Sequence, residues 1–166
     1  MPDTPSIVLR PAARADTPQI LAFIRELAEY EKLADEAVAG EAQIAEHLFG
    51  ARAYAEAVIA EVDGQPAGFA LFFHNYSTFA GKPGLYLEDL FVRPPYRGLG
   101  VGTRLIAHLA ALAVERGCAR FEWSVLDWNE PAIRFYRGLG AVGMDQWTVQ
   151  RLDGEALQAL AARAGG

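Results

Sequence analysis

The stretch Arg93-Pro-Pro-Tyr-Arg-Gly-Leu-Gly-Val-Gly-Thr103 constrains this chain more than any other. It follows an extended apolar run, Leu85-Tyr-Leu-Glu-Asp-Leu-Phe-Val92, and precedes an amphipathic helical pattern from Thr103 to about Arg116. A glycine-dense turn that opens a helix leaves several backbone N–H groups unpaired and pointing outward. Together with the positive end of the helix dipole they form an anion site, most naturally for phosphate. Glycine is required because a side chain would hold the anion away from the backbone.

Three glycine-rich motifs compete for this turn. The P-loop closes on Gly-Lys-Ser/Thr; here Gly102 is followed by Thr103 and Arg104, so the lysine that binds a nucleoside triphosphate is missing. The dinucleotide fingerprint GxGxxG runs from its strand almost directly into the first glycine. Here Arg93-Pro-Pro-Tyr-Arg97 intervenes, and Thr103 stands where the third glycine belongs. Glu122 does lie at the right distance for a ribose contact, which keeps a dinucleotide-binding oxidoreductase open as a rival.

The third motif is Arg97-x-x-Gly100-x-Gly102. It resembles the acetyl-coenzyme A pyrophosphate loop of the GNAT superfamily of N-acetyltransferases. Leu85-Tyr-Leu-Glu-Asp-Leu-Phe-Val92, Tyr96-Arg-Gly-Leu-Gly-Val-Gly102, Trp128-Asn-Glu-Pro-Ala-Ile-Arg-Phe-Tyr-Arg137 and the earlier Leu27-Ala-Glu-Tyr-Glu31 are similar to the diamine (spermidine/spermine) acetyltransferase branch, which includes the thialysine acetyltransferases. The resemblance implies the GNAT fold, an α/β architecture with a mixed, mostly antiparallel sheet flanked by helices. It implies acetyl-coenzyme A as co-substrate, a small-molecule amine as acceptor, direct transfer in a ternary complex, and a homodimer. The loop Ser77-Thr-Phe-Ala-Gly-Lys-Pro-Gly84 departs from the diamine enzymes just before Glu88. A polyamine, a thialysine-like amino acid and other amines therefore all stay open as acceptors.

Residue patterns along the chain agree with a mixed α/β order, hairpins first and βαβα after. Ile7 to Pro11 reads as a strand, and Asp16 or Thr17 as the cap of a helix with Pro18 in its first turn. Ile20, Phe23, Ile24 and Leu27 recur at helical spacing. Glu41 to Phe49 reads as a short helix with Ile44 and Leu48 inward. Tyr54 to Val62 and Ala67 to His74 are expected strands joined through Asp63-Gly64-Gln65, with a loop from Asn75 to Gly84. Beyond the glycine turn, Leu105, Ile106, Leu109, Leu112 and Ala113 share one helical face, and Gly117 ends that helix. Phe121 to Leu126 is a strand, Pro131 to Leu139 a helix capped by Gly140, Ala141 to Leu152 one or two strand segments, and Glu155 to Ala162 a final helix.

Length and charge narrow the function. A chain of 166 residues is expected to form one domain, spanning residues 1–166. It carries no apolar run of about 18 residues, so no membrane-spanning helix and no membrane partner are expected. Met1-Pro-Asp-Thr-Pro-Ser6 lacks the pattern of a secretory signal, and the single cysteine, Cys118, fits a reducing cytoplasm. A net charge of −6 speaks against nucleic-acid binding and mildly favours a cationic substrate. His47, His74 and His108 show no metal-ligand spacing, so no metal is expected.

Amine acetylation sets chemical demands. An alkylammonium of pKa about 10.4 must lose a proton before it attacks a thioester, and a leaving thiolate of pKa about 8.5 benefits from a donor. Glu88 is a carboxylate in an apolar strand that leads into the cofactor turn, and the resemblance places the substrate-side base there. Alternatively it is a buried acid paired with Arg10 or Arg151. Strand alternation sends its neighbour Asp89 to the opposite face. The resemblance gives Tyr136 the role of general acid toward the coenzyme A sulfur; otherwise it is a core aromatic, a slot that Phe135 also fits. Cofactor contacts are implied for Leu90, Phe91 and Val92, whose backbone pairs with the pantetheine arm, and for Arg97, Gly98, Leu99, Gly100, Val101, Gly102 and Thr103 in the turn. Asn129, Glu130 and Pro131 add contacts while also reading as a helix cap, and Tyr136 contributes from the same helix. Tyr30 and Glu31 are expected to hold the cationic acceptor together with Glu88, or else to be solvated. His74 is a weaker candidate base, and Cys118 reads as buried and inert. A catalytically silent acyl-coenzyme A sensor on the same fold remains a second class of function, which retention of both Glu88 and Tyr136 opposes.

Overall fold

Asp63 and Gly64, both with positive φ (49° and 80°), turn the chain tightly between two strands. Such a turn matches the right-handed twist of the strands it joins. This is the hairpin of β2 (Glu56–Val62) and β3 (Gln65–Ser77). The structure, a computed structural model, describes residues 3–165. Met1 and Pro2, at the start of the segment read for a secretory signal, lie outside the described residues, as does Gly166.

With β1 (Ile7–Pro11), β4 (Lys82–Val92) and β5 (Phe121–Trp123), the strands form one sheet in the order β1-β2-β3-β4-β5. The first three pairings are antiparallel and the last, β4 with β5, is parallel. A parallel pair needs a crossover, and α3 (Val101–Glu115) supplies it. The loop expected over Asn75 to Gly84 is mostly strand. β3 runs on to Ser77, β4 begins at Lys82, and only a short turn with Gly81 at φ 65° separates them.

One sheet face is covered by α1 (Thr17–Tyr30), whose Ile20, Phe23 and Leu27 are buried against Ala57, Ile59, Phe69, Leu71 and Phe91. The Phe23 and Phe69 rings stack at 5.2 Å. Ile44 and Leu48 of α2 (Glu41–Phe49) pack against the same cluster, as their spacing predicts. On the opposite face, Val101, Leu105, Ile106, Leu109 and Ala113 of α3 are buried, and Arg116 lies over the Phe72 ring at 5.9 Å. The start of α1 differs from the expected cap. The Asp16 carboxylate takes Arg10 in a two-pronged ion pair (2.7 and 2.9 Å) and accepts from Ala13 N, so it caps no α1 amide. A charge-assisted fork is stronger than a neutral cap bond.

The chain divides into two compact units after Leu126. The second contains α4 (Glu130–Gly138) and α5 (Gly154–Ala161). Asn129 is buried and its side chain accepts from Ala132 N at 3.4 Å, so the capping reading holds. No strand forms between Ala141 and Leu152, contrary to the expectation of one or two. A turn closed by Trp147 N donating to the Met144 carbonyl at 3.1 Å breaks the stretch in its middle.

Candidate active site

The glycine turn is built for close approach. Pro94–Tyr96 form a single tight turn, Arg97 is extended, and Gly98 and Gly100 take φ of 80° and 87°. Gly100 is the residue that caps α3, and no side chain occupies the cap. A Cβ at Gly98 or Gly100 would meet nothing within 4 Å, so the backbone lies bare to a ligand. The helix begins at Val101, two residues before the expected Thr103, which brings Gly102 and Thr103 into its first turn. Arg97 folds back rather than outward. Its Nε donates to the Val92 carbonyl at 2.9 Å, and its guanidinium sits 5.2 Å from the Tyr30 ring and 5.7 Å from that of Phe91.

Just upstream the sheet opens. β5 pairs with β4 only at Leu85, Tyr86 and Leu87. From Glu88 to Val92 that edge of β4 has no strand partner among the described residues. Leu90, Phe91 and Val92 thus lie on a free strand edge that runs into the glycine turn, which is the geometry for adding an extended ligand as a strand.

A β-bulge changes the reading of the acidic pair. On β4, Leu87 faces Phe72 and Asp89 faces Leu71, leaving Glu88 as the extra residue. A bulge of this kind interrupts the strict alternation of side chains. Asp89 shares a face with its partner Leu71, which packs on α1. Glu88 lies on that face too, two residues from Tyr86, whose ring contacts Phe73 at 5.2 Å. The expectation that Asp89 points away from Glu88 is therefore overturned.

Glu31, at the end of α1, joins them. Burial, then the charges of Glu88 and Glu31, push the Asp89 carboxyl up from 3.8 to about 7. Burial and the Glu88 charge raise Glu31 as well. Arg10, one candidate partner for Glu88, is committed to Asp16 and Glu61. None of the three carboxylates forms an ion pair among the described residues, so together they form a site that favours a cation, and a bound cation would lower the repulsion.

This has a measurable consequence for stability. Between about pH 4 and pH 7, folded Asp89 holds a proton that the unfolded chain releases. Stability from this group therefore falls as pH rises through that window. Asp89→Asn should melt at a higher temperature than wild type above pH 7, with the difference fading toward pH 4. Melting curves across the range that differ by a constant amount would show that Asp89 titrates normally.

The remaining candidates separate clearly. His74 is exposed on the α3 side of the sheet, 3.4 Å from Arg116, which forks onto Glu56 at 2.7 and 2.9 Å. It does not share the face of Glu88. Cys118 is half-buried rather than buried. In the second unit, Tyr136 is half-buried on α4 with its ring 5.5 Å from Phe135, and Glu130 and Pro131 form the first turn behind the Asn129 cap. Among the described residues no cluster of His, Cys, Asp and Glu could hold a metal, and no helix is long and apolar enough to cross a membrane. Sequence reading missed Asp89 as a member of the acidic group. The available signal was the acidic doublet itself, since two adjacent charges in an apolar strand are hard to place on alternate buried faces.

Comparison with known proteins meets this geometry. The profile of the acetyltransferase (GNAT) family matches residues 21–141. A thialysine N-epsilon-acetyltransferase of Sus scrofa is 38% identical over 95% of this chain and 99% of its own. An L-ornithine N5-acetyltransferase of Arabidopsis thaliana is 50% identical over 57% of this chain and 41% of its own. Among solved structures, an integron cassette protein of V. cholerae superposes with a TM-score of 0.80 at 27% identity, covering 94% of this chain and 98% of that one. The bare glycine cradle and the free edge of β4 fit a coenzyme A pyrophosphate and its extended arm. This chain therefore belongs to the GNAT family, and its reaction is the acetyl-coenzyme A-dependent N-acetylation of an amine.

Proposed function

We propose that the acceptor is a small molecule with two amino groups, either a thialysine-like diamino acid or a polyamine. The observation that carries this reading is the convergence of Glu31, Glu88 and Asp89 on one sheet face, next to the free edge of β4. Relatives that act on thialysine and on ornithine support it. The glycine turn from Arg97 to Thr103 and the backbone of Leu90 to Val92 hold the coenzyme, with Asn129, Glu130 and Pro131 adding contacts. Tyr30 and Glu31 receive the ammonium. The two units then serve a single catalytic domain.

Glu88 accepts the proton of the ammonium, directly or through water. The nitrogen lone pair attacks the thioester carbon and the C–S bond breaks. Tyr136 gives its phenolic proton to the leaving thiolate, the nitrogen sheds its second proton through water to restore the phenol, and Glu88 returns its proton to solvent. No acyl-enzyme forms. We also place the protein in the cytoplasm as a homodimer. A single cysteine fits the first, and Val142, Trp147 and Val149, exposed in one copy, fit cover by a second.

An amine panel assayed for thiol release tests the acceptor, and Glu88→Gln tests the base. At subsaturating amine the wild-type rate should rise with pH, because the attacking nitrogen must be neutral. Glu88→Gln keeps the shape and removes the basicity, so turnover should fall about 10²–10⁴-fold near neutral pH and partly recover at higher pH. Glu31→Gln should instead mainly raise the Michaelis constant for the amine. A Glu88→Gln profile parallel to wild type with full turnover would move proton removal to another group.

A further inference from the structure

The sheet face that carries Glu88 and Asp89 holds a second polar group one strand away. Asn75 of β3 and Glu122 of β5 meet across β4, with Asn75 Nδ2 donating to Glu122 Oε1 at 3.3 Å. Arg120 Nε pairs with the same carboxylate oxygen at 2.8 Å. Gly84 makes the space for them. It is the register partner of Asn75, and a Cβ there would collide with Asn75 Oδ1 and come within 3.6 Å of Arg120 Cγ. Asn75 Oδ1 is buried and accepts no hydrogen bond, so the group is short of one donor. Between it and Glu88 lies the aromatic pair Phe73 and Tyr86, which are register partners.

We propose that Arg120, Glu122 and Asn75 form a subsite for the α-amino-acid head group of a diamino acid, whose terminal amine reaches Glu88 and Asp89. The inference rests on the acetyltransferase reading above and narrows its acceptor to a diamino acid. The chemistry is complementary on both sides. Arg120 meets Glu122 through Nε, and its side chain is half exposed, so the guanidinium can present a fork of N–H groups to a carboxylate. Glu122, held by Asn75, accepts from the α-ammonium.

The spacing agrees. Tyr86 sits beside Glu122 in register, and Glu88 lies two residues further along β4. A rise of ~3.3 Å per residue and ~4.8 Å between strands separate the Glu88 and Glu122 backbones by ~8 Å. A lysine-type side chain spans ~6 Å from α-carbon to terminal nitrogen, and its methylenes would lie along the Phe73–Tyr86 rings. A plain diamine has no carboxylate for Arg120 and would set its second ammonium against that guanidinium. Repulsion of the wrong ligand adds to attraction of the right one.

The test compares L-lysine with cadaverine and L-ornithine with putrescine, pairs that differ only by the carboxylate, in thiol-release assays with acetyl-coenzyme A. Wild type should favour the amino acid of each pair in kcat/KM. Arg120→Gln should lower that preference about 10–100-fold, as loss of a charged hydrogen bond does, with acetyl-coenzyme A affinity and melting temperature retained. Arg120→Lys should restore part of it. A wild type that prefers the diamines, or a preference that does not move in Arg120→Gln, would overturn the subsite while leaving the acetyltransferase intact. Thiol release with neither series would overturn the amine-acceptor reading itself, and the subsite with it.

Discussion

Gly100→Asp should weaken acetyl-coenzyme A binding about 100- to 1000-fold in a protein that remains folded. Gly100 caps α3 in a left-handed conformation, φ 87°, with nothing within 4 Å of the place a Cβ would take. Aspartate is among the residues that best tolerate this conformation, and its carboxylate suits a helix start. The substitution is therefore mild for the fold. It is severe for the ligand, because the new carboxylate occupies the N–H groups that would receive a pyrophosphate. Two unit charges 4 Å apart near a protein surface repel by about 4 kcal/mol, and each 1.4 kcal/mol is about tenfold in affinity. Calorimetric titration beside a melting curve measures both effects. Unchanged affinity in a folded variant would remove the coenzyme from this turn.

Tyr136→Phe should lower turnover about 10²–10⁴-fold, the usual contribution of a general acid, with little change in acetyl-coenzyme A affinity. The substitution keeps the ring on α4 and its contact with Phe135 at 5.5 Å, and removes only the phenolic donor. If the tyrosine merely packs, both turnover and affinity stay near wild type. The discriminating measurement is single-turnover kinetics at saturating substrates, where chemistry limits the rate. A slow step that speeds up with acyl donors carrying more acidic thiols would identify the missing proton as the one delivered to sulfur.

These two positions were legible as candidates in the linear chain, for different reasons. Gly100 announces itself by local physics. A glycine between an apolar strand and an amphipathic helix has few other uses, and the left-handed φ follows from the turn it must make. Tyr136 carries no such mark, since a tyrosine two residues from the last glycine-capped turn of a short helix reads equally as packing. Only its place in an ordered set of motifs singled it out.

Local spacing by itself determined most of the elements. The stripe Ile20, Phe23, Leu27 specified α1, the Asp63-Gly64 turn specified the β2–β3 hairpin, and the Asn129-Glu-Pro opening specified the cap of α4. These depend on neighbours a few residues away, so the chain encodes them directly. Pairing between distant segments is another matter. The tertiary structure alone decided that Glu88 bulges out of register and brings Asp89 to its own face, because a bulge is a feature of how two strands pair. It alone left one edge of β4 without a strand partner from Glu88 to Val92 among the described residues, and gave Ala141 to Leu152 no strand. It alone gathered Asn75, Arg120 and Glu122, from β3 and β5 and its approach, around the missing side chain of Gly84. Charges far apart in sequence acquire a shared chemistry only when a sheet sets them side by side, and desolvation then shifts a carboxyl that would titrate normally in the unfolded chain.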